Sequence, residues 1–262
     1  MLRFTSLGSG SSGNATLIEA QPRDGARPTR VLVDCGLAPR QLALRLATRG
    51  LLPADIDAVF VTHEHSDHVG GVLALQRRHA VPVWASAGTW AQATVKLEIA
   101  PTFQVARDGE AIVIGSLSLH PFAVPHDAAE PLQLTCTDGR HCIGILTDIG
   151  EPTDAVAHAL QGCDALLLET NHDRDLLASG AYPVWLKRRI AGRLGHLANE
   201  QSATLLDACR HADLRHVLAA HLSRQNNRPD LALAALRGAI GGANTELSVA
   251  DAAAGSAWIT LD

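Results

Sequence analysis

Thr62-His63-Glu64-His65-Ser66-Asp67-His68-Val69-Gly70 packs three histidines and two carboxylates into nine residues, a density that neither a buried core nor one helix face accommodates. Imidazole and carboxylate are ligands that suit zinc, iron or manganese. His63 with His65, and Asp67 with His68, form two ligand pairs on one loop, and such spacing points to two metal ions. The loop follows the apolar run Ala58-Val59-Phe60-Val61, which reads as a buried strand, so the cluster stands where that strand emerges. A solvated polar loop is the plain alternative, and it leaves the clustering unexplained.

Outward from this loop, strands are expected at 2–7, 15–19 and 30–33, with the polar stretch 21–28 as a hairpin tip and an amphipathic helix near 40–49. After the loop come a helix over 69–79, a strand over 81–84, a helix over 88–97, and strands over 102–124 broken at Asp108-Gly109. The second half repeats the mixture. Strands at 133–136 and 142–146 meet at Asp138-Gly139, a helix lies near 153–160, and 165–168 is a short apolar strand. Helices near 184–190 and 200–209 precede the strand Val217-Leu218-Ala219-Ala220, and the tail from Pro229 reads as one helix and two short strands. Strands and helices mixed in both halves indicate two sheets face to face with helices outside, a four-layer α/β/β/α sandwich.

Composition sets outer bounds. The 262 residues are expected to form one domain over 1–262, since α/β sandwiches reach roughly this length as single units. Hydrophobic residues make up 47% of the chain without a run long enough to span a bilayer, and the start, Met1 to Gly10, lacks the apolar region of a signal peptide. A cytoplasmic protein with no membrane partner is expected. Five cysteines without a C-x-x-C pair, Cys35, Cys136, Cys142, Cys163 and Cys209, read as reduced thiols rather than ligands. A net charge of −5 means that a nucleic-acid partner must be held by a local basic patch and by metals.

Further polar groups recur where buried strands end: His126 after Phe122-Ala-Val124, Asp148 after Ile145-Leu-Thr147, and His221 after Leu218-Ala-Ala220. Strand termini hold ligands rigidly while leaving a mouth open to substrate. The ordered set Asp34, His63-x-His65-x-Asp67-His68, His126, Asp148 and His221 resembles the metallo-β-lactamase-fold hydrolases over most of the chain. The resemblance implies that His63, His65 and His126 hold one metal and that Asp67, His68 and His221 hold a second. It also implies that Asp148 bridges the two, while Asp34 orients the loop from behind. Leu7-Gly-Ser-Gly-Ser-Ser-Gly-Asn14, His126-Asp-Ala-Ala-Glu-Pro131, Thr147-Asp-Ile-Gly150, Asn171-His-Asp173, Gly195-His-Leu-Ala-Asn199 and His221-Leu-Ser-Arg-Gln-Asn-Asn227 resemble a bacterial group of DNA exonucleases within that fold. The stretch from Glu169 to His221 also resembles the 3′-processing tRNA endonucleases, which implies that Glu169 and His196 form a proton-donating pair. The loop's Leu-Ala-Asn replaces the Ser-Thr of those enzymes, and their tRNA-gripping arm is not evident.

The expected activity is therefore phosphodiester hydrolysis by two divalent ions, Zn²⁺ or Mn²⁺, sharing a hydroxide that serves as nucleophile. Asp148 can bridge two ions through its two oxygens, Asp67 can orient the hydroxide, and Glu169/His196 can protonate the leaving alkoxide. Nucleic acid is the expected partner, with small or cyclic phosphodiesters as an alternative. Three rivals stand beside this reading. A thioester, lactone or β-lactam hydrolase would use the same hydroxide on carbonyl carbon, but the nuclease-like segments argue against it. A di-iron oxygen or nitric-oxide reductase would need a glutamate in place of His65 and a flavin module. A non-enzymatic metal-dependent binding protein would leave the complete ligand set without a use. The loop Gly8–Asn14 reads equally as a phosphate nest or as a turn. Lys187, Arg188, Arg189 and Arg193 read as a solvated face or a phosphate-attracting stretch, His172 as a loop residue or a substrate contact, and Trp84, Trp90 and Trp185 as core.

Overall fold

The computed structural model describes residues 1–95, 102–241 and 244–262. In chain order the first half contains β1 (Leu2–Gly8), β2 (Ala15–Ala20), β3 (Thr29–Val33), α1 (Pro39–Ala47), β4 (Ala58–Phe60), α2 (Ser66–Val69), α3 (Val72–His79), β5 (Val83–Ala85), α4 (Ala87–Thr94) and β6 (Gln104–Val105). The second half contains β7 (Ile112–Ile114), β8 (Leu117–Ala123), β9 (Leu132–Thr137), β10 (Cys142–Leu146), α5 (Asp154–Leu160), β11 (Ala165–Glu169), α6 (Arg174–Ser179), α7 (Val184–Ile190), α8 (Asn199–Cys209), β12 (His216–Ala220), α9 (Pro229–Ile240), β13 (Glu246–Val249) and β14 (Ile259–Leu261).

These strands form two seven-stranded sheets, ordered β14-β1-β2-β3-β4-β5-β6 and β13-β12-β11-β10-β9-β8-β7. In the first, β14 through β3 pair antiparallel and β3 through β6 pair parallel. In the second, β7 through β10 pair antiparallel and β10 through β13 pair parallel. Each sheet is thus a meander extended by parallel strands whose crossovers are helices. The last strand, β14, returns to pair with β1 of the opposite half.

The strands read as nearly continuous apolar runs because both faces are covered. In β3, Val31 and Val33 face the space between the sheets while Leu32 faces the outer helices. In β11, Ala165 and Leu167 face inward while Leu166 and Leu168 meet the helices. Phe4, Ile18 and Phe60 interleave with Leu119, Leu134, Ile145 and Leu218 in the central layer. Leu42 and Leu46 of α1 and Val72 and Leu75 of α3 cover one outer face, and Val156 and Leu160 of α5 with Leu205 and Leu206 of α8 cover the other. The result is the expected four-layer α/β/β/α sandwich.

Several details depart from the sequence reading. The helix expected over 69–79 is two helices, because the chain turns at Gly70-Gly71; a Cβ at Gly71 would sit 2.2 Å from the Leu37 carbonyl oxygen. The sequence reading places no element over α6, which Asp173 caps by accepting the Leu176 N–H at 2.8 Å. Trp90 is buried and stacks on Phe103, and Trp84 packs partly buried against the central layer. Trp185 is instead 67% exposed: α7 has no buried residue, so its apolar positions do not point into a core. The end of the helix expected over 88–97 lies partly outside the described residues; α4 is described to Thr94. All five cysteines are free, and Cys142 is less buried than the other four.

Candidate metal centre

The strands β3, β4, β8, β10, β11 and β12 deliver their C-terminal ends to one edge of the sandwich. From those ends emerge Asp34, the 62–68 loop, His126, Asp148, Glu169 and His221. Their side chains converge. Ligand atoms of His63, His65 and His126 lie within 4.8 Å of one another, as do those of Asp67, His68 and His221, and those of His63, His68 and Asp148. A fourth overlapping group joins Asp148, Glu169, His196 and His221. The seven candidate metal ligands, Glu169 and His196 therefore meet at one place.

The loop is held from behind by Asp34. Its Oδ1 accepts the Thr62 N–H at 2.8 Å, the Thr62 hydroxyl donates to Oδ2 at 2.9 Å, and Oδ2 lies 2.7 Å from His68 Nδ1. Asp34 adopts φ 60 and His221 φ 55, left-handed conformations uncommon for such residues and found where surrounding structure over-determines a site. Gly36 lets the Asp34 turn approach the loop: a Cβ there would lie 1.7 Å from the Asp67 carbonyl oxygen.

Most histidines of the cluster turn one ring nitrogen toward a fixed protein group. His126 Nδ1 lies 3.0 Å from the Gly195 carbonyl, His221 Nδ1 3.1 Å from the Thr147 carbonyl, and His63 Nδ1 2.9 Å from Thr62 Oγ1. Such contacts choose the tautomer and aim the other nitrogen into the cluster. Burial depresses the His63 and His126 pKa values, which keeps their imidazoles neutral. Burial also opposes charge on His68, but Asp148 and Asp34 outweigh it and lift its pKa to about 10. Asp148 is held well below the usual carboxylate range: burial works against its charge, and His221 and His68 more than offset that.

The arrangement fits metal ions by its own chemistry. Asp148 Oδ2 and His221 Nε2 are buried without a hydrogen-bond partner, although Oδ2 has His68 Nε2 3.1 Å away. Buried polar atoms left without a partner cost free energy unless something else satisfies them. A divalent cation satisfies such a donor set of imidazoles and carboxylates.

Glu169 and His196 stand beside the cluster. Glu169 is fully buried; its Oε2 accepts the Ile149 N–H at 2.9 Å, and its Oε1 lies 2.7 Å from His196 Nδ1. Burial opposes ionisation of Glu169, but the neighbouring His196 outweighs it and the Glu169 carboxyl lies below its usual pKa. His196 rides on a loop pinned by its own N–H donating to the Ile190 carbonyl at 2.8 Å, and Gly195 allows that approach.

Sequence reasoning passed over three contributors. Asn14 Nδ2 lies 2.9 Å from His68 Nε2 and 3.3 Å from Asp67 Oδ2, while its Oδ1 accepts the Gly10 N–H at 2.7 Å. Ser9 Oγ accepts the His221 N–H at 2.6 Å, so the Gly8–Asn14 segment is a strut between the two halves, with its Gly10, Gly13 and Asn14 amides bonded within the protein. Asp127 has an unpartnered buried Oδ1, 3.5 Å from His126 Nε2 and 3.9 Å from His65 Nε2, while its Oδ2 accepts from Arg189 Nε at 2.6 Å. Its position directly after His126 was the available signal.

Residues 29–222 match the family described as the Beta-lactamase superfamily domain. The chain belongs to the metallo-β-lactamase superfamily. Exodeoxyribonuclease YycJ of Bacillus anthracis is 33% identical over 233 residues, 88% of this chain and 86% of that protein. Exodeoxyribonuclease WalJ of Streptococcus pneumoniae is 33% identical over 235 residues, 88% of this chain and 85% of that protein. The metallo-β-lactamase fold protein YhfI of Bacillus subtilis superposes with a TM-score of 0.70 at 17% identity, over 97% of this chain and 98% of that one, which matches the fold.

Proposed function

We propose that residues 1–262 form one hydrolase domain that cleaves phosphodiester bonds with two divalent metal ions, and that its substrate is a DNA strand degraded from an end. The observation that carries this reading is the Glu169–His196 pair set directly against the His/Asp cluster, where a leaving oxygen needs a proton. Homology with the exodeoxyribonucleases supports the choice of substrate.

His63, His65 and His126 would hold one ion, Asp67, His68 and His221 the other, and Asp148 would offer an oxygen to each. When bound, such ions lower the pKa of water toward about 7 and draw charge from a phosphate oxygen. The chain's own residues do the rest. Asp34 and Thr62 fix the loop so that the imidazoles need no reorientation on binding. Asp67 orients the attacking water. The Glu169 carboxylate accepts a hydrogen bond from His196 Nδ1–H, which stays on the ring and leaves the Nε2–H to give its proton to the departing alkoxide. No helix among the described residues is long and apolar enough to cross a membrane, and a cytoplasmic location agrees with such a substrate.

The test is hydrolysis by metal-free protein reloaded separately with Mn²⁺ and Zn²⁺. Substrates are bis-p-nitrophenyl phosphate, 5′- or 3′-labelled DNA and RNA, a thioester and a lactam. Cleavage of the phosphodiesters with DNA preferred is expected, and the labelled end reports polarity. Carbonyl hydrolysis alone would overturn the reading.

A further inference from the structure

We propose that the groove between α6 and α7 is a second ligand site, which takes a phosphorylated nucleoside unit of the strand away from the scissile bond. The inference rests on the phosphodiesterase reading above for the identity of the strand, and on the groove's own chemistry for the ligand class.

The groove encloses about 460 Å³, and three cations line it: Arg174 of α6 and Lys187 and Arg188 of α7. Of these, Arg174 is partly engaged by Glu200 at 3.6 Å, while the arginines outside the lining, Arg189 and Arg193, are paired with Asp127 and Glu151. Arg188 has no carboxylate partner among the described residues, so its charge is available. Lys187 is held across the groove by donating to the Ala178 carbonyl at 2.6 Å. Phosphate draws such a set of guanidinium and ammonium groups.

His172 adds an observation that points to a ligand. It lines the groove while only 1% exposed, and its Nδ1 is buried without a partner. Its backbone is held on both sides, the N–H donating to the Leu197 carbonyl and the carbonyl accepting the Asn199 N–H at 2.8 Å. Burial pulls its pKa down to about 4 even though Glu169 acts the other way, and the imidazole offers a hydrogen bond rather than charge. Leu177 and Val184 supply an apolar wall on which a base can lie. Gln201 spends its Oε1 on the Ala198 N–H, which leaves its amide N–H groups for a base edge. Cations, an apolar wall and neutral hydrogen-bonding groups together match a nucleotide better than a bare anion.

The position agrees. The same helix α7 walls the metal centre: Arg189 anchors Asp127 beside His126, and the Ile190 carbonyl holds the His196 loop. A strand laid over α7 meets the centre on one side and the groove on the other.

Deoxyadenosine monophosphate, deoxyadenosine and inorganic phosphate are titrated by calorimetry into the metal-loaded full chain, with and without chelator, and into K187A/R188A and H172L. The expected result is a site for the monophosphate that survives chelation. It should weaken by about tenfold or more in each variant, as loss of hydrogen bonds to a charged group does, and bind deoxyadenosine and phosphate more weakly. Circular dichroism confirms that the variants fold; should H172L not fold, K187A/R188A carries the test, since both residues lie partly exposed. Binding that vanishes with chelation, or that is equal in K187A/R188A, overturns the groove. The ratio of kcat/KM for oligonucleotide to that for bis-p-nitrophenyl phosphate separates the two claims. Hydrolysis of both with this ratio unmoved in K187A/R188A overturns the groove alone. Hydrolysis of neither overturns the phosphodiesterase reading, while chelator-resistant nucleotide binding would still support the groove.

Discussion

In the first half of the sandwich, four of the clustered groups come from the six residues 63–68, on a loop that leaves β4 and turns directly into α2. In the second half each group stands alone on a different strand end: His126 after β8, Asp148 after β10, Glu169 closing β11, His221 after β12. The first arrangement is fixed by local backbone and by Asp34 behind it. The second is fixed by the register of a sheet, where Leu146 pairs with Leu168 and Leu168 with Ala219. The loop is thus a locally specified cluster of candidate ligands, whereas the strand ends are placed only when the whole sheet forms. Asp148 is where the two meet, with His68 on one side and His221 on the other.

Removing that meeting point is the most damaging change. If the proposed assignment holds, Asp148→Ala leaves two ligand sets with nothing shared, and hydrolysis should fall by about 10⁴-fold or more, a loss of several kcal/mol of transition-state stabilisation. Metal content measured on the purified variant should fall below that of the parent. A variant that keeps both ions and most of its rate would show that the halves work independently. Next in size is His196→Gln, which alters only the second half. Turnover on DNA should drop by about 10²–10³-fold, within what a positioned acid supplies, with metal content unchanged. The loss should be much smaller on bis-p-nitrophenyl phosphate, whose phenolate departs without a proton. Equal losses on both substrates would remove His196 from proton donation.

The same contrast explains what was legible in the sequence. The 63–68 loop can be read because its four candidate ligands fall within six residues and follow an apolar strand. His126, Asp148 and His221 can be read one by one as strand ends, and their meeting only through the ordered pattern. The Glu169–His196 contact joins residues 27 apart through a loop returning to the end of β11, and it was visible only through resemblance. Asn14 and Asp127 lie in segments the sequence singles out, but their contacts were not legible, because these come from what folds against them: Asn14 faces His68 from the turn of the first hairpin, and Asp127 is paired with Arg189 beside the cluster. Trp185 was misread for a related reason. Periodicity marks a helix face as apolar but does not say whether another element covers it, and α7 stands outside the layers.

Asp34 offers the finest test of the local half, since among the described residues its hydrogen bonds go to Thr62, His68 and Phe60 of that half. Its carboxylate restrains Thr62 and His68 together, and its left-handed backbone is tolerated because the Asp34 N–H donates to the Phe60 carbonyl at 2.8 Å and Gly36 lets the turn close on Asp67. Asp34→Asn keeps the shape and one accepting oxygen but loses the charge that holds the His68 ring. Metal affinity, measured by competition with a chromophoric chelator, should weaken by about 10–100-fold, the usual cost of an outer partner. At saturating metal the rate should recover most of its parent value, because every group that touches substrate is still present. A rate that stays low at saturation would mean that Asp34 shapes the reacting geometry itself, and that the first half depends on more than local restraint.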